Sequence, residues 1–438
     1  MPEASTMQEQ RCDVLVIGGG PAGSTIATEM SQKGWQVVLL EKDHHPRFHI
    51  GESLLPLNLP LLERLGVLPQ VEEIGVNKPG IEMCSGQDGA RSHIYYFENT
   101  LAGRHPHAFQ VRRSEFDHLL LENSKSNGVQ VFEGTRVKEV ETRGWGDNLV
   151  VAKDGKGHQI NWKASVIVDA SGRSALLATR LGMKERNNRH NSSALFGHFK
   201  NATRRQGRDE GNIGIYWFEQ GWFWMIPLRD GIMSVGAVCW PEYLKSRHDD
   251  LETFFMDTIA LCPAVQERLA GAELMSGPQA TGNYSYKSKK MWGPGYVLVG
   301  DAYTFIDPVF SSGVYLAMSG ASQTSAAIDA CLRRGKAAEP ELILAQRRLD
   351  KGIRKLSWFI YRFTTPAIHD LFLNPKNFLR MEEAILSLLA GDIFRKSKLG
   401  VSLLLFKTIY WAAMAVNLPK SIRFFSQKRK NLKIESSL

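Results

Sequence analysis

The chain has 438 residues, of which 43% are hydrophobic and 23% charged, a composition typical of globular proteins and not of fibrous or disordered ones. A chain of this length can fold into two or three domains with sizeable cores. Its formal net charge of +9 is compatible with an acidic partner or an anionic surface, but no basic stripe interleaved with aromatic residues indicates a nucleic-acid partner.

The cysteines indicate the compartment. The five cysteines are scattered, and no two have the spacing of a Cys-x-x-Cys pair or of metal ligands. This pattern is typical of proteins in a reducing environment. The first eleven residues are polar and lack the apolar segment of a secretion signal. We therefore expect a cytoplasmic protein without a metal site.

The N-terminal segment predicts a βαβ unit. The apolar run Cys12–Ile17 predicts a buried parallel strand, and Gln36–Glu41 predicts the next strand. Between them, a glycine-rich turn over residues 18–23 is followed by a helix over Ser24–Lys33, which Gly34 ends.

Later segments predict a mixed α/β fold that ends in helices. The period-two alternation of residues 192–238 indicates antiparallel strands. The other predicted elements are a helix over Ser114–Asn127, buried strands at Val166–Asp169 and Tyr296–Val299, a helix over Ser311–Arg334 and a basic helical tail from residue 341. Within that tail, Leu399–Leu418 approaches the length of a membrane span, but Lys407 near its centre favours a helix packed on the protein.

The glycine-rich turn has the form of a dinucleotide site. Gly18 permits the tight turn, Gly20 allows a diphosphate to approach the backbone, and Gly23 allows close packing of helix on strand. The diphosphate then lies at the positive end of the helix. Glu41, at the end of the second strand, is at the usual distance for hydrogen bonds to a ribose.

Two further segments resemble the aromatic monooxygenase superfamily and specify FAD. Gln110–Asp117 is similar to its flavin-contacting segment, with Arg113 at the arginine position. Gly300-Asp301-Ala302, followed by Asp307-Pro308, resembles its second FAD motif, in which the aspartate holds the ribityl chain. The resemblance therefore implies that Gly300, Asp301 and Asp307 contact the cofactor.

Residues 221–227 match the Trp-x-Trp-x-Ile-Pro signature of the flavin-dependent halogenases. In a strand, Trp222, Trp224 and Ile226 lie on one face and form a wall that keeps an organic substrate from the flavin while a halide and a small oxidant pass. An aromatic core strand is the commoner meaning of such a pattern when it occurs alone.

Three more segments carry the same resemblance. Residues 48–56 resemble the family's Gly-Glu-Ser segment, and Lys78 lies where halogenases have their essential lysine. Residues 307–314 are similar to the segment beside the isoalloxazine, which implies that the amides of Ser312 and Gly313 hold the halide. Tryptophan halogenases have a glutamate where this chain has Phe310. That departure resembles the branch that acts on phenols and pyrroles, so free tryptophan is an unexpected substrate.

The resemblance implies a reaction and its participants. FADH2, supplied by a separate flavin reductase, would produce hypohalous acid from O2 and chloride or bromide. Lys78 would then polarise the hypohalous acid through its ammonium or become a haloamine. An electron-rich aromatic ring, free or tethered to an acyl or peptidyl carrier protein, would be halogenated by electrophilic substitution.

We predict an α/β fold with a Rossmann-like FAD-binding domain, an antiparallel-sheet substrate domain and a C-terminal helical region. The FAD-binding domain is discontinuous, over residues 1–80, 104–185 and 286–340. The substrate domain takes residues 81–103 and 186–285, and the helical region takes 341–438.

Several alternatives stay open at this point. Aromatic hydroxylases and lipid reductases of the geranylgeranyl type share this fold. A flavin-binding scaffold with a carrier-docking surface and no activity is the third alternative. The basic stretch over residues 395–433 has ten Lys and Arg residues and no acidic one. It predicts docking of an acidic carrier protein, for instance through Lys428, Arg429 and Lys430, but simple solvation or contact with anionic lipid has the same signature.

Overall fold

The computed structural model describes residues 9–87, 91–101, 103–282, 285–375, 377–394 and 399–434. Two eight-stranded sheets and a set of C-terminal helices make up most of these residues. Strands and helices are numbered below in chain order.

The first sheet contains the predicted βαβ unit. Its strands are β1 (Glu9–Ile17), β2 (Val37–Leu40), β7 (Gln130–Phe132), β8 (Arg136–Glu141), β9 (Asn148–Lys153), β10 (Gln159–Asp169), β19 (Trp292–Gly293) and β20 (Tyr296–Leu298). In its central part, β20, β10, β1, β2 and β7 lie parallel in that order. The helix of the βαβ unit is α1 (Pro21–Gln32). It packs against two further helices, α4 (Arg113–Ser126) and α9 (Ser312–Arg334).

The parallel register brings the carboxyl ends of the strands to one edge. Ile17 at the end of β1 pairs with Leu40 of β2 and with Asp169 of β10, and Asp169 pairs with Leu298 of β20. The residues that follow these strands therefore meet at that edge. A ligand crevice is expected there in an open α/β sheet.

The second sheet is the predicted antiparallel unit. Its strands are β4 (Gly80–Ser85), β5 (Ser92–Tyr96), β12 (Ser193–Lys200), β13 (Ile213–Phe218), β14 (Gly221–Pro227), β15 (Ile232–Cys239), β16 (Glu273–Leu274) and β17 (Gln279–Thr281). All neighbours in it are antiparallel except β13 and β4.

Both faces of this second sheet are covered. Along β14, Trp222, Trp224 and Ile226 belong to the core that the sheet shares with the first sheet, whereas Phe223 and Met225 belong to a separate core. The helices on that outer side are α6 (Pro241–Lys245), α7 (Leu251–Ala260) and α8 (Pro263–Arg268). The side chains alternate as the sequence predicts, and both sets are buried.

Short elements connect the two sheets. They are the strand pair β3 (Val76–Lys78) and β6 (Ala108–Gln110), the small sheet of β11 (Lys184–Arg186), β18 (Tyr286–Ser288) and β21 (Thr304–Phe305), and the helices α2 (Leu59–Leu65), α3 (Leu68–Ile74) and α5 (Leu176–Arg180). Pro21 allows α1 to begin three residues before the predicted start, because its missing amide hydrogen costs nothing at the first helical position.

The C-terminal region is helical, as predicted. Its helices are α10 (Glu339–Ile360), α11 (Pro366–Leu373), α12 (Met381–Leu389), α13 (Leu399–Val416) and α14 (Leu418–Leu432). In the described residues no single helix is long and apolar enough to cross a membrane, although Gly400–Val416 and Leu418–Leu432, bent by 101°, reach that length and composition as a pair. Residues 395–398 of the predicted basic stretch lie outside the described residues.

One face of α13 packs into the protein. The Phe406 ring lies 5.5 Å from that of Phe359, and the Tyr410 ring lies 5.3 Å from that of Trp358, both on α10. Phe406 and Tyr410 are buried. The predicted packing of this apolar segment on the protein is therefore correct for one face of the helix.

Replacing Phe406 with Ala is expected to lower the free energy of unfolding by about 3–5 kcal/mol, because it leaves a cavity between α10 and α13. Leu404→Ala is the matched control, since Leu404 is on the same helix but 66% exposed; its effect should stay within about 0.5 kcal/mol. Denaturant unfolding measures both, and equal losses would contradict this packing.

Candidate active site

A cavity of about 610 Å³ lies at the carboxyl edge of the first sheet and reaches the inner face of the second. It gathers residues that are far apart in the chain. The predicted site residues that line it are Gly18, Gly20, Glu41, Arg113, Trp222, Trp224, Ile226, Asp301, Asp307 and Gly313. Gly300 and Ser312 line a small adjoining pocket, whereas Gly23 and Lys78 line neither.

The three motif glycines are needed for different reasons. A Cβ atom at Gly18, whose φ is +107°, would lie 2.5 Å from the Ala170 carbonyl oxygen. A Cβ at Gly23 would lie 1.9 Å from the Gly18 carbonyl oxygen. At Gly20 the nearest atom would be Arg47 Nη2 at 3.7 Å, an ordinary contact. No protein atom therefore fills the space next to Gly20. This space is part of the cavity at the N-terminus of α1, and such a position fits a dinucleotide diphosphate.

Glu41 shapes the glycine-rich turn. Its buried carboxylate accepts hydrogen bonds from the Gly19 amide at 2.6 Å and from the Asp43 amide at 2.9 Å. It also lines the cavity. The carboxylate therefore holds the turn, and its contact with a ribose stays a prediction.

Arg113 holds a second segment against the cavity. Its guanidinium makes a two-pronged contact with Asp117, at 2.7 and 2.9 Å, and Nη1 donates to the Ile50 carbonyl at 3.0 Å. The contact with Ile50 ties α4 to the Gly-Glu-Ser segment. Arg47 also lines the cavity, and its Nη1 lies 3.6 Å from Asp117 Oδ2. Arg47 was not among the residues predicted for the site.

The two aspartates of the second FAD motif differ in environment. Burial raises the pKa of the Asp301 carboxyl to about 6, and that group lines the cavity. Asp307 is already bonded to the protein. Its Oδ2 lies 2.6 Å from His190 Nε2 and accepts from the Ser192 hydroxyl at 2.9 Å, and its Oδ1 accepts from the Val309 amide. Asp307 therefore positions the 307–313 segment, and because it also lines the cavity, its contact with a cofactor stays a prediction.

The predicted halide site lies at the start of α9. The helix begins at Ser312, after Ser311 with φ of +53°. Amides in the first turn of a helix lack intrahelical acceptors and carry a partial positive charge. A Cβ at Gly313 would meet no atom within 4 Å. An anion can therefore reach these amides from the cavity, and halide binding by Ser312 and Gly313 stays a prediction.

The predicted tryptophan wall exists as a continuous surface. The rings of Trp222 and Trp224 lie 6.1 Å apart, and both line the cavity together with Ile226. The Trp224 indole donates to the Ser234 hydroxyl at 3.2 Å, which fixes its orientation. All three wall residues are almost fully buried.

Lys78 is a buried amine. It ends β3 with no exposed surface. Its Nζ donates to the Ser53 hydroxyl at 2.8 Å and to the Leu54 carbonyl at 3.0 Å, and it lies 5.3 Å from the centre of the Phe97 ring. Burial lowers the pKa of Lys78 to about 7.

Ser53 links Lys78 to the cavity. The Ser53 side chain contacts Lys78, and Ser53 lines the cavity although Lys78 does not. Ser53 belongs to the Gly-Glu-Ser motif, but its position in the sequence predicted no role for it. The neighbouring Glu52, whose Oε1 lies 2.9 Å from His198 Nε2, also lines the cavity and was missed in the same way. The distant partners of this motif could not be read from its spacing.

The C-terminal region packs against the tryptophan wall. Phe363, which follows α10, lies 5.9 Å from the ring of Trp222 and 5.3 Å from that of Phe310. Phe310 is buried and does not line the cavity. The aromatic residue at this position therefore packs against the helical region, a contribution that sequence analysis did not foresee.

One predicted docking residue lies elsewhere than expected. Lys428 points inward, where its amine donates to the Tyr361 carbonyl, and burial lowers its pKa to about 8. Arg429 and Lys430 are exposed. Lys428 is therefore only partly exposed and its amine is engaged by the protein. A run of basic residues on a helix does not reveal which of them faces the protein.

Comparisons with known proteins agree with this site. The tryptophan halogenase family model matches residues 81–363, and that of the FAD dependent oxidoreductases matches residues 13–50. The chain is 30% identical to the 1H-pyrrole-2-carbonyl peptidyl-carrier protein chlorinase of Pseudomonas fluorescens, over 90% of this chain and 92% of that one. It is 38% identical to the tryptophan 2-halogenase of Chondromyces crocatus, over 72% of this chain and 60% of that longer protein.

Two solved structures share the fold. A flavoprotein/dehydrogenase from Cytophaga hutchinsonii superposes with a TM-score of 0.84 at 28% identity, covering 92% of this chain and all of that one. The myxobacterial chondrochloren halogenase gives 0.74 at 30% identity, covering 89% and 99%.

The fold and the cavity are those of an FAD-dependent oxidoreductase. Since the family match covers more than half of its length, the chain belongs to the flavin-dependent halogenase family and is an enzyme that uses FAD. The residues that would hold the cofactor are the turn at Gly18–Gly20, Glu41, Arg113 and Asp301.

Gly20→Val is expected to yield protein without flavin absorbance, because its side chain fills the space that the protein leaves open for the diphosphate. Flavin-free wild type and variant should differ by only about 1 kcal/mol in free energy of unfolding, the scale of a change at a helix cap. Gly23→Val is the contrast, since its side chain meets protein backbone and should prevent folding. A Gly20→Val protein that retains flavin would refute this placement.

Proposed function

We propose that this enzyme halogenates an electron-rich aromatic ring, a phenol or a pyrrole, through hypohalous acid that is handed to Lys78. The observation that carries the proposal is the fully buried Lys78 amine, which does not line the cavity but is hydrogen-bonded to Ser53, which does. Reduced FAD, when bound, supplies hypohalous acid from O2 and a halide.

The hydrogen bonds of Lys78 leave a free donor when the amine is an ammonium. Its two protein partners, the Ser53 hydroxyl and the Leu54 carbonyl, can both accept. An ammonium has three hydrogens, so one remains to donate to the oxygen of hypohalous acid. This donation makes the halogen more electrophilic. With a pKa of about 7, the amine is available in both protonation states near neutral pH.

The wall supports separation of the aromatic substrate from the flavin side. Two indoles and an aliphatic side chain present a mainly apolar surface to the cavity, and the N–H of the Trp224 indole is already bonded to Ser234. They exclude water from the path and so protect the oxidant from side reactions. A direct hydroxylase instead needs its substrate against the flavin, which makes the wall an argument against the hydroxylase alternative.

The environment of Phe310 supports a phenol or pyrrole over free tryptophan. This position holds a buried aromatic side chain in contact with Phe363, and it offers no carboxylate to a substrate. A ring that is already electron-rich reacts with a polarised hypohalous acid without such a base.

The proposal includes a substrate that is tethered to a carrier protein. It is supported by the Pseudomonas fluorescens relative, which acts on a pyrrole group attached to a peptidyl-carrier protein and matches 90% of this chain. A separate flavin reductase belongs to the same proposal, because the sequence contains one dinucleotide-binding turn, at Gly18–Gly23.

Lys78→Met is expected to lower halogenation at least ~10²-fold, the scale of a positioned proton donor, while FAD stays bound. Methionine retains most of the volume of the side chain, so folding should survive. Lys336→Met, at an exposed lysine, is the matched control. Turnover and flavin content are measured on the same preparations. Normal turnover by Lys78→Met, or loss of its flavin, would contradict the assigned role.

The pH dependence tests which form of Lys78 acts. Since the ammonium is the proposed donor, halogenation at saturating substrate should fall as the pH rises through about 7, where Lys78 loses its proton. A rate that instead rises through this pH would assign the reaction to the neutral amine and hence to a haloamine.

The proposed reaction is tested with FAD, NADH, bromide and a flavin reductase, and with pyrrole and phenol substrates both free and loaded on a carrier protein. We expect mass spectra to show bromination, with faster turnover of the loaded carrier. Omitting the reductase is the control, because NADH alone should not bleach the flavin. Addition of oxygen or of two hydrogens in place of bromine would favour the hydroxylase or the lipid reductase.

A further inference from the structure

The outward side of α13 is exposed and apolar. Its exposed residues recur at intervals of three and four and so share one face of the helix, which we call the outer face: Val401, Leu404, Thr408, Trp411, Ala412, Ala415 and Val416. None of them is charged. Leu404, Trp411 and Val416 are 66%, 50% and 83% exposed. In a helix at the surface of a protein, this side is normally polar.

The next helix adds a second apolar strip and a set of cations. Leu418, Ile422 and Phe425 of α14 are exposed at helical spacing, and we call them the α14 strip. Seven Lys and Arg residues and no acidic residue occur in residues 399–434. Five of these cations are exposed: Lys420, Arg423, Arg429, Lys430 and Lys433.

Both helices are fixed to the protein by their inner sides. On α13, Phe406 and Tyr410 are buried against α10. On α14, Asn431 Oδ1 accepts from the Glu242 amide at 3.0 Å, and the Asn431 carbonyl accepts from Asn191 Nδ2 at 3.0 Å. A helix held in this way can lie on an apolar phase but cannot be surrounded by it.

We propose that the outer face of α13 and the α14 strip dock on an anionic lipid surface. Leu404, Trp411 and Ile422 would enter the boundary between headgroups and acyl chains, and the exposed Lys and Arg side chains would contact anionic headgroups. An apolar strip flanked by Lys and Arg, with aromatic residues in the strip, is the pattern of helices that lie in this boundary. Each such cation adds to the attraction of the leaflet.

Two other occupants fit these residues less well. A second copy of the chain would bring five exposed cations against five more, which is repulsive. An acidic protein partner would match the charge, but a transient protein interface is only about as apolar as the rest of a protein surface. The outer face of α13 is uncharged along a helix of 18 residues, about 27 Å.

The test is flotation of the full-length, flavin-loaded protein with vesicles. We expect it to bind vesicles of equimolar phosphatidylglycerol and phosphatidylcholine, to bind pure phosphatidylcholine at least about tenfold more weakly, and to be released by salt. Absence of binding to the anionic vesicles, or equal binding to both kinds, would overturn the proposal.

Two pairs of variants separate the apolar and the charged contributions. Combined Leu404→Gln, Trp411→Gln and Val416→Gln should lower vesicle binding at least about tenfold, because the inserted apolar area is lost. Met256→Gln, Leu261→Gln and Leu344→Gln remove three comparably exposed apolar side chains elsewhere and should have no effect.

Arg423→Gln with Lys430→Gln should weaken binding about tenfold, whereas Lys33→Gln with Lys336→Gln, at exposed lysines far along the chain, should leave it unchanged. Flavin absorbance confirms that each variant is folded. Equal losses in test and control variants would overturn the proposal. So would a dimer in solution that the Leu404, Trp411 and Val416 changes dissociate, since a second copy would then cover the face.

Discussion

The site depends on the close approach of backbone to backbone at the edge of the first sheet. The Gly23 position lies so near the Gly18 carbonyl that a single added carbon would be 1.9 Å from its oxygen. This contact seats α1 on β1 and directs the amides at its N-terminus into the cavity. Because β1, β2, β10 and β20 are parallel, the turn, Glu41 and Asp301 then meet at one edge.

The second sheet turns this cofactor cavity into one suited to halogenation. Strand β14 contributes side chains to two cores, and its Trp224 indole is oriented by the hydrogen bond to Ser234. Beyond the cavity surface, Lys78 is buried with two acceptors and no carboxylate partner among its described hydrogen bonds, and burial therefore lowers its pKa toward neutrality. Burial is thus common to the tryptophans that line the cavity and to the Lys78 amine, whose pKa it lowers.

Much of the fold followed from local patterns. The βαβ unit, the antiparallel character of residues 192–238, the parallel strand before Gly300 and the helical end of the chain were all predicted, since each depends on periodicity or on glycine positions. The differences concern the direction of single side chains, such as that of Lys428, and the length of single elements. Strand β10 runs over Gln159–Asp169, longer than predicted, because its first half pairs with β9, a neighbour that its own residues do not specify.

The sequence by itself determined the cofactor class, the family and the residue types at the site, because spacing within a strand or a turn sets which side chains share a face. Only the tertiary structure decided which distant groups meet. Ser53 at Lys78, Phe363 behind Trp222 and Lys428 at the Tyr361 carbonyl are contacts between residues far apart in the chain. Local propensity carries no information about such pairs, since they depend on how whole elements pack. For the same reason, the sequence predicted an apolar helix but not which of its faces is buried. The packing of α13 on α10 decides this.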